Sequence, residues 1–148
     1  MYRKILAPLD GSETAECALA HVQAIATGCG VPEVQLLYVA EPIPPGLYQS
    51  VAEGTAKRAA WGRDYLAGVK KRLAAEGMNV SGVMLEGKAA EAIVDYASSN
   101  GVDLIVMSTH GRSGPSRWAF GSVADRVVRM SPVPVLMAVP RGCRAEPH

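Results

Sequence analysis

Residues 102–108 read Val-Asp-Leu-Ile-Val-Met-Ser, and every position from Leu104 to Met107 is apolar. A strand with one face in water alternates apolar and polar residues, whereas an unbroken apolar run is typical of a strand buried on both faces. We therefore predict a central strand at Val102–Ser108. Other short runs rich in aliphatic residues predict four further strands: Lys4–Leu9, Val34–Ala40, Val80–Leu85 and Val133–Val139.

Helical periodicity occupies the stretches between these runs. Apolar residues recur every three or four positions over 14–26, 61–73, 89–97 and 123–128, the spacing that places them on one helical face. Strict alternation of strands with helices is typical of a parallel sheet that carries helices on both faces. The sequence thus predicts an α/β domain with an open, doubly wound sheet of five parallel strands.

The strand order follows from two runs that suit the edges of a sheet. Pro134 removes a backbone donor from the fifth run, which favours an edge, and Ser81 and Gly82 interrupt the third run. Edges at the third and fifth strands fit the order 3-2-1-4-5, whose topological switch point lies between the first and fourth strands. Ligands of open α/β sheets bind at the carboxyl ends of the strands that flank this point, here just after Leu9 and just after Met107.

Composition narrows the class of protein. The 148 residues match one domain, which we place at 1–140 with a C-terminal tail over 141–148. A net charge of +1 and an aromatic content of 5% differ from the basic, aromatic surfaces that bind nucleic acids. The first apolar run ends at Asp10, and no run approaches the roughly 18 apolar residues of a membrane span. We expect a cytoplasmic protein that binds neither nucleic acid nor membrane.

The segment after the first strand reads Asp10-Gly-Ser-Glu13. Glu13 and Glu16 occupy the first turn of the following helix and would repel a phosphate there. Asp10 could accept a hydrogen bond from a ribose hydroxyl or help to hold a cation. Alternatively, Asp10 or Ser12 could simply cap the helix. The sequence leaves these roles open, and they can coexist.

The loop after the fourth strand has the composition of an anion site. Residues 108–120 contain no acid, several glycines and hydroxyls, and the cations Arg112 and Arg117, and a helix opens at Ser122. The free amides and the dipole at a helix N-terminus favour a phosphate. A capping box formed by Ser122 and Asp125 would explain both of these residues without a ligand. Both interpretations remain open at this point.

Three segments, in order along the chain, carry a family resemblance: Ile5-Leu-Ala-Pro-Leu-Asp-Gly-Ser-Glu-Thr-Ala15, then Val102–Gly114 followed by Gly121-Ser-Val, and then Ser131-Pro-Val-Pro-Val-Leu136. Together they resemble the universal stress protein family. ATP-binding members of that family carry the pattern G-x2-G-x9-G-[ST], which Gly111, Gly121 and Ser122 match here. The first glycine of the pattern is replaced by Ser108.

The resemblance implies a single-domain, ATP-binding member of this family. It implies an adenine-nucleotide site in which Mg²⁺ or Mn²⁺ bridges phosphate oxygens, and a homodimer through the last strand, Val133–Val139. The edge position that Pro134 favours agrees with that dimer. The implied binding residues are Pro8, Asp10 and Val39 beside the adenosine, Met107, Ser108, His110 and Gly111 along the ribose and phosphates, and Gly121, Ser122 and Val123 at the β- and γ-phosphates.

Two functions stay open on this basis. The first is a nucleotide-responsive dimer in regulation or the stress response, with little or no catalysis, because no general base or nucleophile is evident. The second is a dimeric interaction protein of the same fold that binds no nucleotide, which Ser108 favours. A nucleotide hydrolase is disfavoured, because neither a P-loop nor a serine- and glycine-rich phosphate loop follows the first strand.

Overall fold

Strands and helices alternate in the computed structural model, which describes residues 1–42, 51–109 and 121–140. No helix within these ranges is both long and apolar enough to cross a membrane. The predicted tail over 141–148 lies outside the described residues, so its boundary stays a prediction. The elements are β1 (Lys4–Leu9), α1 (Glu13–Glu16), α2 (Ala18–Gly28), β2 (Glu33–Ala40), α3 (Val51–Ala75), β3 (Val80–Glu86), α4 (Ala89–Ser99), β4 (Leu104–Ser108), α5 (Ser122–Met130) and β5 (Val135–Ala138).

The sheet confirms the predicted fold class. Its strands are parallel and lie in the order β3-β2-β1-β4-β5. Ile5 of β1 pairs with Val34 of β2 on one side and with Leu104 of β4 on the other. In β4, Ile105 and Val106 are fully buried in the hydrophobic cores of opposite faces. The unbroken apolar run therefore marked a central strand, as predicted.

Two layers of helices cover the sheet. Buried residues of α2 and α3 pack with Ile5 and Ala7 of β1 on one face. Those of α4 and α5 pack with Leu6 on the opposite face. Side chains alternate between the two faces along a strand, so β1 contributes to both cores. This arrangement leaves the carboxyl ends of β1 and β4 open between α1 on one side and α4 and α5 on the other.

Two helices depart from their predicted bounds. The helix predicted over 14–26 is divided at Cys17, where the Cys17 amide donates to the Thr14 carbonyl, three residues back, at 3.2 Å. That spacing is the tighter turn of a 3₁₀-helix. Helix α3 begins at Val51 rather than near 61, because its first turns are rich in alanine and lack the apolar period that the prediction relied on.

The Asp103 carboxylate joins the start of β1 to the start of β4. Its Oδ2 accepts hydrogen bonds from the amides of Arg3 at 2.8 Å and Lys4 at 2.9 Å. These bonds hold the pKa of Asp103 below its ordinary value. A carboxylate with a lowered folded-state pKa stabilises the fold above its unfolded pKa, and that stabilisation is lost as the pH falls through the folded pKa.

We therefore expect Asp103→Ala to lower the free energy of unfolding by about 1 kcal/mol at pH 7. The difference from wild type should shrink as the pH falls below about 4, because the wild-type carboxyl is then protonated first in the unfolded chain and, at still lower pH, in the folded protein. Urea unfolding of both proteins at pH 7 and pH 3 measures this. A difference that is equal at the two pH values would contradict the role given to the ionised carboxylate.

Candidate functional site at the sheet switch point

A cavity of about 580 Å³ opens at the carboxyl ends of β1 and β4. Its size lies within the range of small-molecule sites, roughly 300–1,000 Å³. The β1–α1 turn, the end of β4 and the start of α5 form its polar walls, and β2 and the start of α4 contribute apolar side chains. The cavity therefore lies at the switch point that the strand order predicted.

Eight of the ten predicted binding residues line this cavity: Pro8, Asp10, Val39, Met107, Ser108, Gly121, Ser122 and Val123. They come from four segments that lie far apart in the sequence. His110 and Gly111 fall outside the described residues, as do Arg112 and Arg117. That these residues bind a nucleotide stays a prediction. The cavity shows that the eight described residues lie close together.

One wall of the cavity was not predicted. Leu37, Ala89 and Ile93 line it together with Val39. Leu37 lies two residues before Val39 and so shares its face of β2. The alternation of side chains along a strand could therefore have indicated Leu37. Ala89 and Ile93 lie one turn apart on α4, but nothing in the sequence indicates that this helix begins over the cavity.

The turn after β1 settles the open question about capping. Ser12 is the N-cap of α1, and its Oγ accepts from the Ala15 amide at 3.1 Å. Asp10 Oδ1 in turn accepts from the Ser12 amide at 2.9 Å and from the Ser12 hydroxyl at 2.6 Å. Asp10 is exposed and lines the cavity, and a carboxylate can accept more bonds than these two. The capping role therefore leaves room for a ligand.

The start of α5 differs from the capping box that the sequence allowed. Gly121, with φ of +96°, is the N-cap, and no side chain caps this end of the described helix. The Asp125 amide donates to the Gly121 carbonyl at 2.9 Å, and the Asp125 carboxylate accepts from Arg129 Nε at 3.0 Å. The capping-box interpretation is wrong, because Ser122 already lies inside the helix and Asp125 is paired elsewhere. The first amides of α5 thus lie at the cavity with no side-chain acceptor among the described residues.

Ser108, which replaces a motif glycine, ends β4 beside the cavity. Its Oγ lies 3.4 Å from the Ala15 carbonyl of α1, a long hydrogen bond. No described residue other than glycine has a positive φ. Ser108 therefore holds a backbone conformation open to any residue, and this position does not need the conformational freedom of glycine.

A doubly wound α/β domain with a cavity of this size at its switch point has the architecture of small-ligand-binding domains. The model of the universal stress protein family matches residues 1–139. Universal stress protein MJ0577 of Methanocaldococcus jannaschii is 35% identical, over 93% of this chain and 94% of that protein. The chain belongs to the universal stress protein family, which confirms the resemblance in the sequence.

Solved structures share the fold over most of their length. The universal stress protein UspA from Lactobacillus plantarum has a TM-score of 0.78 and 28% identity, and the match covers 92% of this chain and 97% of that one. A universal stress protein in complex with cAMP has a TM-score of 0.72 and covers 93% and 97% of the two chains. Its 22% identity makes this second likeness one of fold alone.

Proposed function

We propose that this protein binds adenine nucleotides, with ATP as the principal ligand, and acts as a nucleotide-responsive dimer in regulation or the stress response. The observation that carries the proposal is the start of α5, where Gly121 and Ser122 form part of the cavity wall and no described side chain caps the helix. Free amides and the helix dipole attract a phosphate at such a position. Membership of the family supports the choice of ligand, because Gly121 and Ser122 match the pattern of its ATP-binding members.

The cavity offers a different chemistry to each part of ATP. Leu37, Val39 and Ile93 supply an apolar wall that suits a purine base. The Asp10 carboxylate suits a ribose hydroxyl, because an ionised carboxylate only accepts hydrogen bonds. The amides that begin α5 suit the β- and γ-phosphates. A nucleoside triphosphate carries these three groups in that order, and an isolated phosphate or an apolar ligand would use only part of the cavity.

A divalent cation, Mg²⁺ or Mn²⁺, would be held mainly by the phosphates. Among residues 1–42, 51–109 and 121–140, no three His, Cys, Asp or Glu side chains lie close enough to hold a metal. Asp10 is the carboxylate among the described lining residues that could reach such an ion directly or through water. These residues fit a cation that arrives with the nucleotide better than a resident metal.

Binding rather than turnover is the function that these groups support. Besides Asp10, the polar side chains of the described lining are hydroxyls, and Asp10 Oδ1 already accepts two hydrogen bonds from Ser12. Efficient hydrolysis requires a positioned base or nucleophile. We therefore propose that hydrolysis of ATP is slow or absent.

Thermal unfolding with a panel of nucleotides tests this proposal. ATP with Mg²⁺ at about 100 times its Kd should stabilise the fold by about 2.7 kcal/mol and raise Tm by roughly 5–10 °C. GTP should stabilise it less if the apolar wall selects adenine, because guanine presents a more polar edge to that wall. Equal Tm values with and without ATP, in protein freed of bound small molecules, would favour the nucleotide-free interaction protein instead.

Ser108→Gly tests whether the departure from the family motif weakens binding. We expect the Kd for ATP to change by less than about threefold, because Ser108 has no positive φ to relieve and its hydroxyl lies near the Ala15 carbonyl. Titration of wild type and variant measures this. A gain of tenfold or more in affinity would show that Ser108 obstructs the site and would support the nucleotide-free alternative.

The dimer would form through the free edge of β5. The amides of Ile105 and Thr109 donate to the carbonyls of Pro134 and Ala138, at 3.0 and 2.9 Å. Alternate residues of a parallel strand bond to the same neighbour, so the backbone groups of Met137 face away from β4. The described residues leave that side without a neighbouring strand. Pairing with a second copy would satisfy these groups and cover an edge that otherwise invites aggregation.

A further inference from the structure

An aromatic side chain packs against the turn after β1 that lines the cavity. Gly11, with φ of +89°, lies between Asp10 and Ser12. A Cβ built on Gly11 would lie 2.8 Å from Cζ3 of Trp61 and closer still to Cη2. The indole of Trp61, on α3, therefore lies directly against the Gly11 backbone, and only glycine leaves room for it there.

Burial in the core does not explain this position of Trp61. The side chain is 51% exposed, although it was predicted on the apolar face of its helix. Its ring stacks on Tyr65 with centroids 5.3 Å apart and an interplanar angle of 4°, and it lies 5.8 Å from the Tyr38 ring. Aromatic pairs at these separations are favourable beyond the area they bury. The indole is thus held in place by other rings while half of it faces solvent.

The same face of α3 also holds the end of α1. The Tyr65 hydroxyl donates to Glu16 Oε2 at 2.8 Å, and Arg72 donates to Glu16 Oε1. Burial and the Glu16 carboxylate raise the pKa of Tyr65, so its hydroxyl stays protonated and remains a donor. Helix α3 therefore contacts the segment 10–16 at two places, at Gly11 through Trp61 and at Glu16 through Tyr65 and Arg72.

We propose that Trp61 is a positioning residue for the nucleotide site, which holds the Asp10–Ser12 turn in its binding conformation through Gly11. The inference rests on the proposed function, since it concerns the affinity of the same cavity. Trp61 does not line the cavity among the described residues, so it acts through the turn rather than on the ligand. Without the indole, the turn gains conformations that the bound state must give up, which lowers the apparent affinity.

Trp61→Ala, Trp61→Phe and Val69→Ala separate positioning from general stability. Val69 is buried on the same helix and belongs to the core, so Val69→Ala destabilises α3 without touching the turn. We expect Trp61→Ala to weaken ATP binding about tenfold, while Trp61→Phe and Val69→Ala stay within about threefold of wild type. An equal loss in Val69→Ala and Trp61→Ala, or none in either, would overturn the proposal.

Amide hydrogen exchange provides a readout that needs no nucleotide. The Ser12 amide donates to Asp10 and the Ala15 amide donates to Ser12, so their protection reports the turn directly. Both should exchange about tenfold faster in Trp61→Ala than in wild type, and at the wild-type rate in Val69→Ala after correction for global unfolding. Unchanged exchange in Trp61→Ala, or faster exchange with unchanged affinity, would overturn the positioning role.

The two proposals fail in distinguishable ways. If wild-type protein binds no ATP, the proposed function falls, and faster exchange in Trp61→Ala would still place the turn under the control of Trp61. Gly11→Ala gives an independent check. Its cost in free energy of unfolding has two parts, the strain of a positive φ and the clash with the indole. The second part should disappear in the Trp61→Ala background, so the two substitutions should be non-additive. Strict additivity would contradict the contact between Gly11 and Trp61.

Discussion

Gly121→Val is expected to weaken ATP binding by more than about a hundredfold, which corresponds to about 2.7 kcal/mol. Gly121 has a φ of +96°, a conformation that a β-branched residue adopts only under strain. Relief of that strain would move the first amides of α5, which Gly121 precedes as N-cap. The valine side chain would also occupy part of the cavity wall where we place the phosphates. Titration of the folded variant with ATP and Mg²⁺ measures the loss.

A matched control for this variant is Gly77→Val. Gly77 has a similar φ of +88° and open space around its Cα. It lies just before the amino end of β3, whereas the cavity lies at the carboxyl ends of β1 and β4. The Gly77→Val protein should therefore carry the backbone strain of valine without a change at the site, and it should bind ATP like wild type. A Gly121→Val protein that is folded and retains wild-type affinity would remove the phosphate site from the start of α5.

Met137→Pro is expected to convert the proposed dimer to a folded monomer. Proline removes the Met137 amide, which faces the free edge of β5, and keeps the ladder bonds to β4 that Pro134 and Ala138 accept. Proline is tolerated at an edge strand where its missing amide faces outward. A second copy could then no longer pair at this position. Sedimentation velocity across a concentration series measures the change of mass.

Two further variants test the dimer prediction. One keeps the side-chain size at position 137, and the other places proline at a different position of β5. Met137→Leu should remain dimeric, because it retains the outward amide and an apolar side chain of similar size. If Met137→Pro does not fold, Val135→Pro removes the other outward amide at the first position of the strand. A folded Met137→Pro protein that remains a dimer would place the interface elsewhere than on β5.

Strand order was predictable because its signals are local. A continuous apolar run indicates that β4 is central, and a proline indicates that β5 lies at an edge. Both follow from backbone hydrogen bonding and burial, which act within a few residues. The position of the cavity followed in turn from the strand order, since a switch point is a property of topology.

Features that depend on contacts between distant segments were not predictable. The N-cap of α5 is Gly121 rather than Ser122, which depends on the positive φ of Gly121 that the sequence does not reveal. The division at Cys17 leaves the apolar period of its helix almost unbroken. Trp61 has the spacing of a core residue, yet it lies half exposed against Gly11, fifty residues earlier. The apolar periodicity of α3 cannot show which turn its exposed aromatic residue contacts.

A single titration decides whether the switch-point cavity takes ATP. Wild-type protein, freed of small molecules that co-purify with it, is titrated with ATP in the presence of Mg²⁺ by isothermal calorimetry. The proposed site predicts saturable binding of one ATP per chain, with Gly77→Val unaffected and Gly121→Val severely weakened. A folded wild-type dimer that shows no saturable binding of ATP would contradict the nucleotide site and leave a protein-interaction role for this fold.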